Sequence, residues 1–218
     1  MKKNCALLLA TIVLNQGMRA GDPLRPNHRC CEEQPAGAYS ANSIYQLDAR
    51  WTNDDGASFA LGQLRGRPVV LVMFYASCGY ACPLLVADMA RLREALPANV
   101  RPQVQFALVS FDVVRDTAAS LKAYRDSRRL DAQWTLLHGD NNGVKELAAL
   151  LGVNFRQEPD GSFSHSNVIT ILNAEGEIAH QRLGLQGPLD DSMKALVTAA
   201  ARPGGAGASA QESSPAIQ

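Results

Sequence analysis

The sequence predicts an α/β protein, a mixed sheet flanked by helices, and three observations carry that reading. Apolar runs of strand length, Val69–Phe74 and residues 104–110, alternate with longer runs of helical periodicity. Strand–helix–strand units of this kind pair in parallel through right-handed crossovers. Residues 167–172 and 177–183 flank Ala174-Glu175-Gly176 and read as a late hairpin, which adds antiparallel strands to the same sheet. The result is a sheet with helices on both faces.

Taken in order, residues 44–51 alternate (Ile44, Tyr45, Leu47, Ala49, Trp51) and read as a strand. Asn53-Asp54-Asp55-Gly56 is a turn, and residues 57–60 begin the return strand of an N-terminal β-hairpin. Residues 61–68 form a loop. Beyond Val69–Phe74, residues 84–96 set Leu85, Met89, Leu92 and Leu96 near helical spacing, and Pro97 ends the helix. Residues 117–130 form a second helix, capped by Asp116 or Thr117. It turns Leu121 and Tyr124 inward and Arg125, Arg128 and Arg129 outward. Residues 134–138 are a short strand, and residues 141–151 a third helix stopped by Gly152. Residues 154–163 are polar and turn-rich. Residues 189–201 form the last helix.

The chain has 218 residues, with 21 basic and 21 acidic side chains. That length suits one domain, residues 44–201, with a real core. The charge balance argues against nucleic acid as a partner. Lys2 and Lys3 ahead of a short apolar run read as an export signal over residues 1–20, with an uncleaved N-terminal anchor as the alternative. Residues 21–43, rich in Pro, Gly and Ala, read as a linker, and residues 202–218 as a disordered tail. Export puts the protein in the periplasm or tethers it to the outer face of the inner membrane, where thiols meet oxidising conditions.

The chemistry gathers at Tyr75-Ala76-Ser77-Cys78-Gly79-Tyr80-Ala81-Cys82-Pro83, where a buried strand hands over to a helix. Unpaired N–H groups and a partial positive charge at a helix mouth favour thiolate, the form that attacks disulfides and binds soft metals. Cys78 and Cys82 stand one turn apart if the chain between them is helical, so both sulfurs can face one side. The spacing leaves room for an ion between them. Buried cysteines also serve as small hydrophobes, but two of them at such a junction point to a site. Among the histidines, His165 lies in Phe163-Ser164-His165-Ser166-Asn167, just before the late hairpin, and this segment is polar and short of packing residues. In thioredoxin-like sheets the chain at this position passes the cysteine loop and usually carries a cis-proline; here it carries His165. Two thiolates and an imidazole suit Cu(I), can hold Cu(II) with an added ligand, and are chemically open to zinc. A lone loop histidine is as often only solvated.

The Cys78-to-Pro83 stretch resembles the Cys-x-x-x-Cys-Pro signature of the SCO1/SenC family. Further blocks agree in order: the run from Leu61 to Val70; Ser110-Phe111-Asp112 with Arg115-Asp116-Thr117; and Trp134 through Gly139 followed by Ser164-His165-Ser166. The resemblance implies a thioredoxin-like fold and copper bound by Cys78, Cys82 and His165. It implies a metallochaperone that delivers copper to the CuA site of a cytochrome c oxidase subunit during assembly. It also implies dealings with other copper chaperones and with thiol–disulfide reductants. Asp112 matches a family aspartate that supports the site, though a loop or helix-cap carboxylate is an equal reading of it. Val113 departs from the family's usual proline. The competing function is a thiol–disulfide oxidoreductase or thiol peroxidase, with Cys78 as nucleophile and Cys82 as resolving thiol; a peroxide-sensing relay is a third. His28-Arg29-Cys30-Cys31 is a separate motif, read as incidental or structural, with metal capture and a partner disulfide as alternatives.

Overall fold

The computed structural model describes residues 38–201; the leader, most of the linker, His28, Cys30, Cys31 and the tail lie outside the described residues. The chain forms β1 (Trp51–Asn53), β2 (Ser58–Phe59), β3 (Val69–Phe74), α1 (Ala81–Ala95), β4 (Gln105–Ser110) and α2 (Ala118–Arg128). It continues through β5 (Trp134–Gly139), α3 (Asn141–Leu150), β6 (Phe155–Gln157), β7 (Phe163–His165), β8 (Val168–Leu172), β9 (Ile178–Leu183) and α4 (Asp190–Ala201). Seven strands make one mixed sheet in the order β2-β1-β5-β4-β3-β8-β9. β3, β4 and β5 are parallel, while β1 and β8 flank them antiparallel. Every residue of β3 and β4 is buried. That is the mark of strands covered on both faces, and it explains why their sequences run apolar without alternation. α1 packs against β3 and α4, and α4 lies against β8 and β9.

The central strands, the late hairpin and the four helices form about where the sequence puts them, and an N-terminal hairpin forms with a much shorter first strand than expected. Residues 44–51 do not form a strand. Ile44–Gln46 is a 3-10 turn capped by the Ser43 hydroxyl, and the strand begins only at Trp51. A strand would send Ile44 and Tyr45 to opposite faces; the turn buries both against the late hairpin. Ile44 N–H donates to the Gly176 carbonyl at 3.0 Å. Gly176 has φ +81°, and a Cβ there would stand 2.5 Å from the Tyr45 ring, so the turn and the close approach both require glycine. Ser43, placed by composition in the linker, is buried and bridges Glu177.

Two more elements differ from expectation. α1 starts at Ala81, so Cys82 lies inside its first turn. Residues 154–163 are not loop alone: β6 and β7 pair antiparallel as a two-stranded sheet of their own. Arg125 turns inward, chelating the buried Asp54 carboxylate and donating to the carbonyls of Asp131 and Trp134 at 2.9 and 2.8 Å. Arg128 and Arg129 are exposed as expected. Among the described residues no helix is long and apolar enough to cross a membrane.

Candidate metal centre

The site forms at one edge of the sheet, where the parallel strands end and β8 begins, the edge at which open α/β sheets place ligands. β3 ends at Phe74 and delivers the cysteine loop; β4 ends at Ser110 and delivers Phe111, Asp112, Arg115 and Asp116. β3 and β8 pair antiparallel with Leu71 opposite Thr170. Extending that register five residues sets His165 level with Ala76, beside the cysteine loop. Topology thus joins residues 83 positions apart: Cys82 Sγ lies 3.8 Å from His165 Nε2.

The Cys78 and Cys82 sulfurs and one His165 nitrogen all lie within 4.8 Å of one another. Among the described residues this is the group of His, Cys, Asp or Glu side chains arranged to hold a metal ion. Both cysteines are free thiols and both are buried, Cys82 fully. Tyr80, the N-cap of α1, caps with no side chain. The sulfur of Cys78 takes that place, accepting the Cys82 N–H at 3.3 Å. Burial works against a charged sulfur at Cys78. The N–H groups of Cys82 and Tyr80, the Cys82 thiol and the Tyr75 hydroxyl outweigh it and hold the Cys78 thiol below its ordinary value. Burial, with the neighbouring Cys78 sulfur and the Asp116 carboxylate, pushes the Cys82 thiol far up.

His165 Nδ1 lies 3.1 Å from the Ser166 carbonyl oxygen. A carbonyl only accepts, so Nδ1 donates there, and Nε2 is the ring nitrogen that faces Cys82 and is placed to ligate. A three-coordinate ion with bonds of about 2.0–2.3 Å holds its ligand atoms roughly 3.8–4.0 Å apart. The 3.8 Å between Cys82 Sγ and His165 Nε2 meets that requirement, and the group as a whole, within 4.8 Å, needs only a small closure to meet it.

Around the donors stands a ring cluster that the sequence reading missed. Phe111 stacks on Phe155 at 5.0 Å and meets Phe163 and His165, each at 5.2 Å; Tyr75 meets Phe163 at 5.2 Å. Phe163 is therefore a packing residue, and its segment is not the unpacked loop its composition implies. The signal was present: Pro159-Asp160-Gly161 between Phe155 and Phe163 is turn chemistry between two strand residues. Asp116, read as a helix cap, instead braces the cysteine loop. It is buried and accepts the Ala76 N–H at 2.8 Å and the Ser110 hydroxyl at 2.6 Å. Thr117 is the cap of α2. Asp112 touches none of the three donors; it ion-pairs with Arg115 and accepts the Arg115 and Val114 N–H groups at 3.1 and 3.4 Å. His138 and His180 stand on β5 and β9, outside the group.

A family model described as SCO1/SenC matches residues 38–197. A putative copper-binding protein of Stutzerimonas stutzeri is 32% identical over 140 residues, covering 62% of this chain and 67% of that protein. Arabidopsis thaliana ScoI, solved with copper bound, superposes with TM-score 0.60 at 19% identity, over 69% of this chain and 93% of that one. BsSco is described as a member of the Sco family of cytochrome c oxidase assembly proteins in which a disulfide switch was identified. It superposes with TM-score 0.61 at 21% identity, over 74% of this chain and 97% of that one. At these identities the solved structures speak to the fold, which is thioredoxin-like. With the family model spanning the folded body, this chain belongs to the SCO1/SenC family.

Proposed function

We propose that the protein is an exported copper metallochaperone. Cys78, Cys82 and His165 hold copper, as Cu(I) or with an added ligand as Cu(II), and pass it to the CuA site of a cytochrome c oxidase subunit during assembly. The observation that carries this reading is the meeting of three soft donors within 4.8 Å. The copper-binding relative and the copper-bound ScoI favour copper over zinc as the cargo. The oxidase-assembly role described for BsSco favours the oxidase as receiver. The order of ligand exchange follows from exposure: Cys82 is fully buried, while Cys78 and His165 border the surface. An incoming ligand displaces His165 or Cys78 first, and Cys82 lets go last. This is binding and transfer rather than turnover, with other copper chaperones loading the site and thiol reductants keeping it reduced.

The test is transfer. The reduced full-length chain, loaded with copper and mixed with a copper-free CuA domain, is expected to generate the CuA absorption bands; His165→Ala is expected not to. A loaded wild-type chain that leaves the CuA domain empty contradicts the proposal.

One observation favours a second reading, thiol–disulfide exchange: the depressed Cys78 thiol lies beside a second free thiol. Cys78 thiolate would attack a partner disulfide and expel one partner thiol. Cys82 would then displace the other, leaving a Cys78–Cys82 disulfide and a partner that has gained two electrons and two protons. His165 has no part in that chemistry, so disulfide reduction at catalytic rates by both wild type and His165→Ala, without copper uptake, selects it.

A further inference from the structure

We infer that Arg115 is a positioning residue for the third donor, clamping the hairpin that carries His165 onto the cysteine side of the site. β6 and β7 share no ladder with the seven-stranded sheet. No ladder therefore seats the hairpin's far end; side chains do, among them the Tyr75 hydroxyl, which meets the Phe163 backbone N–H. Arg115 is fixed at its own base by the Asp112 carboxylate, which is 1% exposed. From there its guanidinium lies over two rings at once, 5.9 Å from the Tyr75 centroid and 5.6 Å from the Phe163 centroid.

Tyr75 stands three residues before Cys78. Phe163 stands two residues before His165 on the same strand, and both touch Phe111, as side chains on one strand face do. A Cβ at Gly161, in the hairpin's turn, would stand 3.6 Å from Arg115 Nη1. One cation thus joins the end of β3, the β4–α2 loop and the hairpin. The ion pair with buried Asp112 anchors the side chain but would by itself need no aromatic faces. Two rings from separate segments beneath one guanidinium are what distinguish a clamp, because cation–π attraction acts on both together. This also gives the Asp112 side chain a connection to the hairpin, through Arg115 and Phe163.

The metal consequence rests on the copper-carrier reading; the clamp itself is testable without metal. In the reduced, metal-free full-length chain, Arg115→Met is expected to speed amide exchange across Phe155–Gln157 and Phe163–His165 by about tenfold, the combined effect of two cation–π contacts. Exchange in β3 and β4 is expected to stay unchanged. Arg115→Lys, which keeps the charge, is expected to restore most of the protection. In the copper arm, Arg115→Met is expected to weaken Cu(II) retention by a similar factor, and to add nothing once His165 is Ala, since both changes act on one ligand. Unchanged hairpin exchange in Arg115→Met overturns the inference whether or not copper binds. An equal copper loss in the His165→Ala background overturns it too. A wild type that takes up no copper overturns the proposed function instead, and leaves the exchange result to decide the clamp.

Discussion

Cys82 sits in the first turn of a 15-residue helix whose inner face, with Leu85, Met89 and Leu92, is fully buried. His165 sits at the end of a three-residue strand on a hairpin that belongs to no larger sheet. The two sides of one candidate site thus rest on different supports. The thiol side is part of the core: it is made by the β3–α1 junction, capped by its own sulfur and braced by buried Asp116. The imidazole side is held by ring contacts and one guanidinium at the surface. Local stability follows local burial, so the sulfurs are the fixed half and the imidazole is the half that yields. A carrier needs that division, because a ligand that lets go first gives the receiver a way in.

The largest expected effect breaks the fixed half. Cys82→Ser removes the buried sulfur and should weaken copper retention by well over about 100-fold, more than loss of an outer-shell partner costs. His165→Ala should cost less, on the order of 100-fold, while leaving the melting temperature close to wild type; equal losses would erase the proposed asymmetry. Stability should divide the same way. Met89→Ala, under the thiol side, should cost about 2–5 kcal/mol in urea unfolding. Phe155→Ala, on the half-buried hairpin, should cost about 1 kcal/mol, and a larger value would mean the hairpin belongs to the core.

Within the thiol side, Cys78 should alkylate more than about tenfold faster than Cys82, read by mass spectrometry of timed iodoacetamide reactions, because its thiol is depressed and Cys82 is buried with its thiol raised. The smallest effect concerns Asp116. Burial raises its carboxyl above the ordinary value, against the opposing bonds from Ser110 and Ala76. The folded state therefore holds this proton more tightly than the unfolded one. The stability this gives is complete below the unfolded value of about 3.9 and is lost as pH rises through the higher folded value. Wild-type stability relative to Asp116→Asn should accordingly fall as pH rises from acid toward neutral in urea melts; a flat difference would contradict the burial argument.

How much of this was legible in the sequence also differs between the halves. Val69–Phe74, the cysteine stretch and the following helix could be read directly, because a buried parallel strand and an amphipathic helix print strong local patterns. The imidazole side could be located but not built. His165 was found by its place before the late hairpin, yet β6 and β7 are three residues each, too short for periodicity to register. Phe111, Phe155 and Phe163 are scattered singly in the chain and become a cluster only through the fold. Arg115 and Asp116 stand in one visible block, but their opposite duties depend on side-chain direction, which spacing does not encode. Residues 44–51 misled in the reverse sense: Tyr45, Leu47, Ala49 and Trp51 alternate as in a strand, while tertiary contacts with Gly176 accompany a turn at Ile44 and Tyr45.

The most direct test of the central claim, that folding brings an imidazole into bonding reach of two sulfurs, is electron paramagnetic resonance of the reduced full-length chain with one equivalent of Cu(II). Cys5, Cys30 and Cys31 are replaced by Ser so that Cys78 and Cys82 are the thiols present. The expected spectrum shows sulfur-rich coordination with hyperfine coupling from a single nitrogen, and that coupling vanishes in His165→Ala. Nitrogen coupling that persists in His165→Ala, or is absent from the wild type, would contradict the account.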